Sequence, residues 1–190
     1  MSETQVAQTG GNAVGQFDPN NAQNLIEIEK QFAVKAVEQA QTYWNLLEKV
    51  EPKGLKLTSI DDEIFEDTIK TFPELGEAPY TKLINIDEEW MKSKDGKTRW
   101  REFCERYKEK IKDYNFGSLI RTDAEDEYGE KNTIFVTRIQ FYAFEIARNR
   151  LGLNAKAHEI AKTEALKEKA KKEKLQKERE RERKKKAGRL

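Results

Sequence analysis

One short segment of this 190-residue chain combines three arginines, which can bind carboxylates, with one carboxylate: Arg138, Arg148, Arg150 and Glu145. Arginine forks bind carboxylates through paired, charge-assisted hydrogen bonds. On a helix, Arg138 and Glu145 would share nearly one face, and Arg148 would lie one turn beyond Glu145 and could pair with it. Two interpretations follow: these groups pair with acids of the same chain, or they form an exposed recognition surface.

The same segment, Asn132–Gly152, also carries four aromatic residues, so it is expected to contribute to the core as well. Its pattern reads first as a strand and then, from Arg138, as a helix with a period near 3.6. The side chains predicted to face the core are Phe135, Ile139, Tyr142, Ala143 and Ile146.

Signs of catalysis, cofactor binding or metal binding are weak. The chain has one cysteine and one histidine, which excludes an internal disulfide and a Cys/His zinc site. Cys104 lies beside Phe103 on an apolar helix face, which favours a buried packing thiol. His158 lies in a highly charged stretch and is expected to be a passive surface residue. No glycine-rich phosphate loop is present. We therefore expect no catalytic residue, no metal ligand and no cofactor.

The charge distribution is asymmetric. Residues 156–190 contain 15 Lys or Arg against 7 Asp or Glu, whereas residues 1–155 contain 21 against 28. A basic arm on an acidic body suggests contact with a ribosome or RNA, or a solubilising role. Because no signal sequence or apolar membrane span is found, we expect a cytoplasmic protein, with a nuclear location left open and no membrane contact.

Periodicity and turn residues predict the elements. Helices are expected from Asp18-Pro19 to Val50, from Ile60 to Phe72 and from Asp95, with a hairpin at 116–137. Residues 73–94 are expected to be loop-like with a helical turn at 87–92. The fold class is α+β, predominantly α, with three to four helices packed on a small antiparallel hairpin. The domain divisions are 1–17 disordered, 18–154 globular and 155–190 a basic helical or disordered tail without a dimerising seam, so a monomer is expected.

Several motifs occur in order and together resemble one family. They are Lys56-Leu57-Thr58 with Asp61-Asp62, Trp100-x-x-Phe103-Cys104, Asp113–Gly117 leading to Leu119-x-Arg121, and NTIF followed by RIQFYAFEIARNR. This combination resembles the eukaryotic polysaccharide biosynthesis domain-containing protein 1 family, including its small fungal members, over about residues 18–154.

The resemblance implies a non-enzymatic cytosolic chaperone that binds the nascent GTP-binding domain of translation elongation factor 1-alpha. The family name itself suggests a polysaccharide-modifying, methyltransferase-like enzyme, but the chain has too few glycines and strands for an S-adenosylmethionine site. A ribosome- or RNA-binding protein acting through residues 155–190 is a further alternative. The expected partner-binding residues are Arg121, Arg138, Glu145, Arg148 and Arg150, with Asn115 and Asn132 at turns or as hydrogen-bonding positions.

Overall fold

The computed structural model describes the backbone of residues 19–187 and the side chains of residues 27–184. This part of the chain contains helices and one two-stranded antiparallel sheet, which confirms the predicted α-rich α+β class. The elements are α1 (Pro19–Lys49), α2 (Asp61–Thr71), α3 (Thr81–Ile84), α4 (Glu88–Lys92), α5 (Lys94–Glu105), β1 (Gly117–Ile120), β2 (Ile134–Thr137), α6 (Arg138–Arg150) and α7 (Ala155–Ala187).

The long helices and the hairpin lie where the sequence predicts them, but the number of helices was underestimated. The segment expected to be mostly loop contains α3 as well as α4. Helix α3 has only four residues and follows Tyr80, whose φ is +63°. So short a helix carries no periodic signal. The predicted N-cap Asp18 lies outside the described residues.

The sheet has one core face and one outer face. Gly117 pairs with Thr137 and Ile120 with Ile134, in antiparallel register. Since side chains alternate along a strand, Ser118, Ile120 and Val136 point inward and are buried. The core beyond them is aromatic: the rings of Phe72 and Trp100 stack with centroids 4.0 Å apart.

The junction between β2 and α6 fixes the direction of α6. Thr137 and Gln140 form a capping box: the Gln140 N–H donates to the Thr137 hydroxyl at 3.4 Å, and the Thr137 N–H donates to the Gln140 side chain at 2.9 Å. Gly152, whose φ is +76°, follows the other end of the helix. Helix α6 is thereby held against the core with most of its side chains buried.

The start of α7, just beyond the predicted division at residue 155, packs against the folded body. Ala157 and Ala161, one turn apart, are buried where α7 packs along α1. The expectation that His158 is a surface residue was wrong: it is 7% exposed, and its Nδ1 contacts the Leu47 carbonyl oxygen. Small alanines permit this close approach, and the histidine closes the gap between the helices.

Among residues 19–187, no helix is both long and apolar enough to cross a membrane.

Candidate partner-binding face and the polar network behind it

A fully buried polar network lies between α1, α6 and the start of α7, with the Glu145 carboxylate at its centre. Oε1 accepts from Arg148 at 2.7 Å, which confirms the predicted pairing. Oε2 accepts from the Tyr43 hydroxyl at 2.6 Å and from Asn154 Nδ2 at 2.9 Å, and Arg121 lies 3.4 Å away. Four donors therefore surround this buried carboxylate, one at Oε1 and three at Oε2, as a charge in a low-dielectric interior requires.

Two buried guanidinium groups need more acceptors than one carboxylate supplies, and backbone carbonyls provide them. Arg148 donates to the carbonyls of Leu83, Arg121 and Thr122 at 2.7, 2.9 and 3.1 Å. Its side chain therefore links α6 to α3 and to the end of β1.

Arg121 acts in the same way on the loop after β1. It donates to the carbonyls of Ala124 and Asp126 at 2.8 and 3.1 Å and to Asn154 Oδ1 at 2.6 Å. Its guanidinium carbon also lies over the rings of Trp44 and Tyr128, 5.6 and 5.7 Å from their centroids.

The network is structural chemistry rather than an exposed recognition surface. Arg121, Glu145 and Arg148 each have 0% of their side chain exposed, so none of them can touch a partner while the protein keeps this conformation. This corrects the expectation that the three side chains lie on the surface. The alternative interpretation, intramolecular pairing, describes what the structure contains.

The other four predicted site residues are spread over different places. Arg150 is exposed and pairs with Asp62 above the Phe65 ring, at 5.1 Å. Arg138 is half-buried at the start of α6. Asn132 organises the hairpin loop by accepting from the Thr122 hydroxyl and the Asp123 N–H, both at 2.7 Å. Asn115 is exposed beside Phe116, at the rim of the apolar patch described below.

The charge state of the network follows from its geometry. Burial alone would raise the pKa of Glu145, but the charges of Arg121 and Arg148 and the Tyr43 hydrogen bond outweigh it and hold that pKa below its usual value. Burial, and then the neighbouring Glu145 charge, raise the pKa of Tyr43, so its hydroxyl remains a donor. The Glu145 carboxylate is therefore ionised at neutral pH and accepts a hydrogen bond from the neutral Tyr43 hydroxyl.

We expect acid to remove the contribution of Glu145 to stability. Because its pKa is lower in the folded than in the unfolded chain, that contribution is present above the unfolded value of about 4.3 and is lost as pH falls through the folded value. In urea unfolding, the difference in free energy of unfolding between wild type and Glu145→Gln should therefore become smaller as pH falls. Glu178→Gln, at an exposed position of α7, is the control. A difference in free energy of unfolding that does not change with pH would contradict the lowered pKa of Glu145.

An uncovered apolar stripe marks the other notable face. Sequence analysis predicts a continuous apolar stripe along α1, and its second half is buried at Ala36, Ala40, Tyr43 and Leu47. The first half is not: Ile28 and Phe32 are 47% and 45% exposed. Apolar residues at helical spacing that the fold leaves in water indicate a surface for another molecule.

The hairpin extends this surface. The rings of Phe32 and Phe116 lie 5.3 Å apart, and the Phe135 ring crosses over Gly117, where an added Cβ would come within 2.0 Å of it. The prediction that Phe135 faces the core was wrong: it is 62% exposed, because Ile134 and Val136 take the inward positions of β2. We call Ile28, Phe32, Phe116 and Phe135 the aromatic patch.

Within the part of the chain that the structure describes, no three His, Cys, Asp or Glu side chains converge as a metal site would need. Cys104 is partly buried against the core, with its Sγ 3.7 Å from the Thr137 hydroxyl. Burial raises the pKa of its thiol, which disfavours the reactive thiolate.

Comparison with known proteins identifies the family. The family model described as "PBDC1 protein" matches residues 28–159, which span α1 to the buried start of α7. The chain belongs to the PBDC1 family. The matched range covers the motifs that carried the resemblance, and that part of the sequence analysis is confirmed.

Relatives in the PBDC1 family are found in fungi and mammals. The chain is 58% identical over 138 residues to a "Protein PBDC1 homolog" of Schizosaccharomyces pombe, covering 73% of this chain and 92% of the relative. It is 41% identical over 128 residues to "Protein PBDC1" of Homo sapiens, covering 67% of this chain and 52% of that protein. A solution NMR structure of protein yst0336 from Saccharomyces cerevisiae matches with a TM-score of 0.65 and 52% identity, over 75% of this chain and 96% of that one.

Sequence reasoning missed two sets of residues. Tyr43, Asn149 and Asn154 complete the buried network, but the first two have ordinary places in helical patterns and Asn154 lies in the turn before α7, and only the fold brings them together. Phe32 falls in the first predicted helix, Phe116 and Phe135 fall in the predicted hairpin, and Phe135 was expected to face the core. The signal that could have separated Phe135 is strict alternation along β2.

Proposed function

We propose that this member of the PBDC1 family is a non-enzymatic chaperone that binds the incompletely folded GTP-binding domain of translation elongation factor 1-alpha. The observation that carries the proposal is the aromatic patch: an aromatic and aliphatic surface left in water by a chain with 37% charged residues. The choice of client rests on the family resemblance set out in the sequence analysis. The patch supplies a physical reason why such a protein would hold an unfolded chain.

Several properties of the patch suit a client that is not yet folded. Incompletely folded domains expose apolar side chains and unpaired strands. Three phenylalanines present a large contact area with few rotatable bonds, so ordering them on binding costs little entropy. Lys35 lies over the Phe116 ring at 5.8 Å and keeps the surrounding surface charged.

The polar network supports this proposal indirectly. It fixes α1, α6 and the hairpin loop relative to one another through Tyr43, Glu145 and Arg121. The two elements that bear the patch, α1 and the hairpin, are thus held at a constant separation. A preformed surface binds more tightly than one that must be ordered first.

A direct test is cell-free translation of the client GTP-binding domain with and without this protein. We expect the protease-resistant, nucleotide-binding fraction of the client to rise severalfold when the protein is present during synthesis. A GTP-binding domain from a different protein is the control and should not respond. An unchanged folded fraction of the elongation factor domain at equimolar protein would contradict the proposal.

The exposed end of α7 supports a second role, contact with the ribosome or RNA. Beyond Ala165 the described side chains of α7 are exposed, and Lys and Arg outnumber acids there. Phosphate backbones attract such arrays through counterion release. The translation assay therefore needs a variant ending at Lys169, which keeps the buried Ala157 and Ala161. We expect it to keep the client-folding activity and lose salt-sensitive sedimentation with ribosomes. Complete loss of client folding would instead place the activity in the tail.

A further inference from the structure

The outer edge of β2 is an unpaired strand edge with a groove beside it. The Arg138 N–H donates to the Phe116 carbonyl at 2.7 Å, and the Thr122 N–H donates to the Asn132 carbonyl at 3.3 Å. In an antiparallel pair hydrogen-bonded positions alternate, so Val136 and Ile134 bond to β1, while Phe135 and Thr133 direct their backbone groups away from it. No described residue hydrogen-bonds the N–H or C=O of Phe135.

The opposite edge of the hairpin is occupied, which makes the two edges unequal. On the β1 side, the Leu119 carbonyl accepts from the Tyr128 hydroxyl at 3.3 Å, and the Arg121 carbonyl accepts from Arg148 at 2.9 Å. At the end of β2, the Thr137 N–H is used by the capping box. An unpaired edge is a template for another strand, and only the stretch at Thr133–Phe135 offers one here.

A groove of about 430 Å³ runs between this edge and α5, within the size range of about 300–1,000 Å³ that is typical of ligand clefts. Its walls include the side chains of Trp100 and Cys104 from α5 and Val136 from β2. The groove shares Asn115 and Phe135 with the cavity at the aromatic patch, so the two surfaces are continuous.

The charged residues that line the groove indicate which kind of ligand would complement it. Lys97 and Arg101 are exposed one turn apart on α5, and no described carboxylate lies within ion-pair distance of either. Of the acids on the same groove, Glu88 pairs with Lys92, while Glu105 accepts a hydrogen bond from the neutral Tyr114 hydroxyl, which leaves one acidic charge against the two cations. The unsatisfied charge is positive, so an acidic occupant is favoured.

We infer that β2 receives an extended, acidic segment of an incompletely folded polypeptide as a third strand of the sheet. Its backbone pairs with Phe135 and Thr133, its carboxylates meet Lys97 and Arg101, and its apolar side chains reach the aromatic patch. Main-chain pairing supplies affinity without demanding one sequence, which suits a surface for unfolded chains. The identification of this polypeptide as the elongation factor domain rests on the proposed function. The geometry of strand addition is independent of which polypeptide binds.

The test uses overlapping fifteen-residue peptides that cover the GTP-binding domain of elongation factor 1-alpha, acidic fifteen-residue peptides of unrelated sequence, and both sets with Asp and Glu changed to Asn and Gln. Binding to the full chain is followed by fluorescence anisotropy, and amide hydrogen exchange is followed by NMR. We expect acidic peptides to bind, and exchange at the Phe135 amide to slow by about tenfold or more in the complex. Peptide binding with unchanged exchange at Phe135, or no binding by any acidic peptide, would overturn the inference.

Two variants at Phe135 distinguish the contribution of its backbone N–H to binding from that of its side chain. Phe135→Ala keeps the outward N–H, whereas Phe135→Pro removes it at a position where proline suits an edge strand. We expect Phe135→Pro to bind about fivefold more weakly than Phe135→Ala, the loss of roughly one hydrogen bond. Lys97→Glu with Arg101→Glu should abolish the preference for acidic peptides, and exposed Lys108→Glu, outside the groove, should not.

The outcomes also distinguish this inference from the proposed function. If acidic peptides of unrelated sequence protect Phe135 while those of the elongation factor do not, strand addition stands and the proposed client is wrong. If the elongation factor domain is folded in the translation assay by Phe135→Pro as well as by Phe135→Ala, the chaperone proposal stands and strand addition is wrong.

Discussion

Replacing Arg148 by alanine is expected to lower the free energy of unfolding by about 3–5 kcal/mol, as removal of one partner from a buried ion pair does. The variant would leave Arg121 as the one cation facing Glu145 and would remove the Arg148 donor from the carbonyls of Leu83 and Arg121, whereas the Thr122 carbonyl keeps the Ile86 N–H. Each such orphaned group costs about 1–3 kcal/mol. Because domains of this size are stable by only about 5–15 kcal/mol, the variant is expected to be close to unfolding at 37 °C.

Urea unfolding followed by circular dichroism measures this effect. Arg150→Ala is the matched control, since Arg150 is exposed on the same helix and its pair with Asp62 should contribute at most about 1 kcal/mol. If Arg148→Ala and Arg150→Ala cost the same, the network does not have the structural role assigned to it here. Arg148 is for the same reason a poor probe of client contact: its loss would act through folding.

The sequence was sufficient to identify pairings between near neighbours but not burial. Glu145 and Arg148 are three residues apart on a predicted helix, so their pairing was expected. Nothing local indicates that both are fully buried, because that depends on α3 and the end of β1, which supply carbonyls 65 and 27 residues away. A buried arginine and an exposed one have the same sequence signature when the acceptors are backbone groups.

Helix α1 shows the converse: apolar residues that the pattern places on one face are left partly exposed. Its apolar period was recognised along the whole length, and its limits agree with the structure. Periodicity states which side chains share a face but not whether a partner element exists to cover them. The folded chain covers Tyr43 and Leu47 and leaves Phe32 in water, and this difference, invisible in the pattern, locates the aromatic patch.

Changing Phe32 and Phe135 together to aspartate is expected to weaken client binding by at least about tenfold while leaving the fold intact. Burying one large aromatic side chain contributes about 1.5–3 kcal/mol, and an aspartate in its place would also have to be desolvated. Both side chains are about half exposed or more, so stability should change little. Isothermal titration with the elongation factor domain held in mild denaturant measures the affinity, and thermal unfolding measures stability.

Leu175→Asp is the matched control for that variant. Leu175 is 48% exposed, comparable to Phe32, but it lies far along α7 rather than in the aromatic patch. The control removes one exposed apolar side chain and adds one negative charge, against two in the patch variant. Equal losses of affinity in the control and in the Phe32→Asp, Phe135→Asp variant would indicate a general charge effect.

The central claim is that the aromatic patch holds the nascent client, and recovery of that client from translating extracts tests it most directly. The extract synthesises the GTP-binding domain of elongation factor 1-alpha, and the newly made domain captured by each variant is quantified. We predict strong capture by wild type and by Leu175→Asp, and about tenfold less by Phe32→Asp, Phe135→Asp. Capture by the patch variant equal to that by wild type would contradict the account.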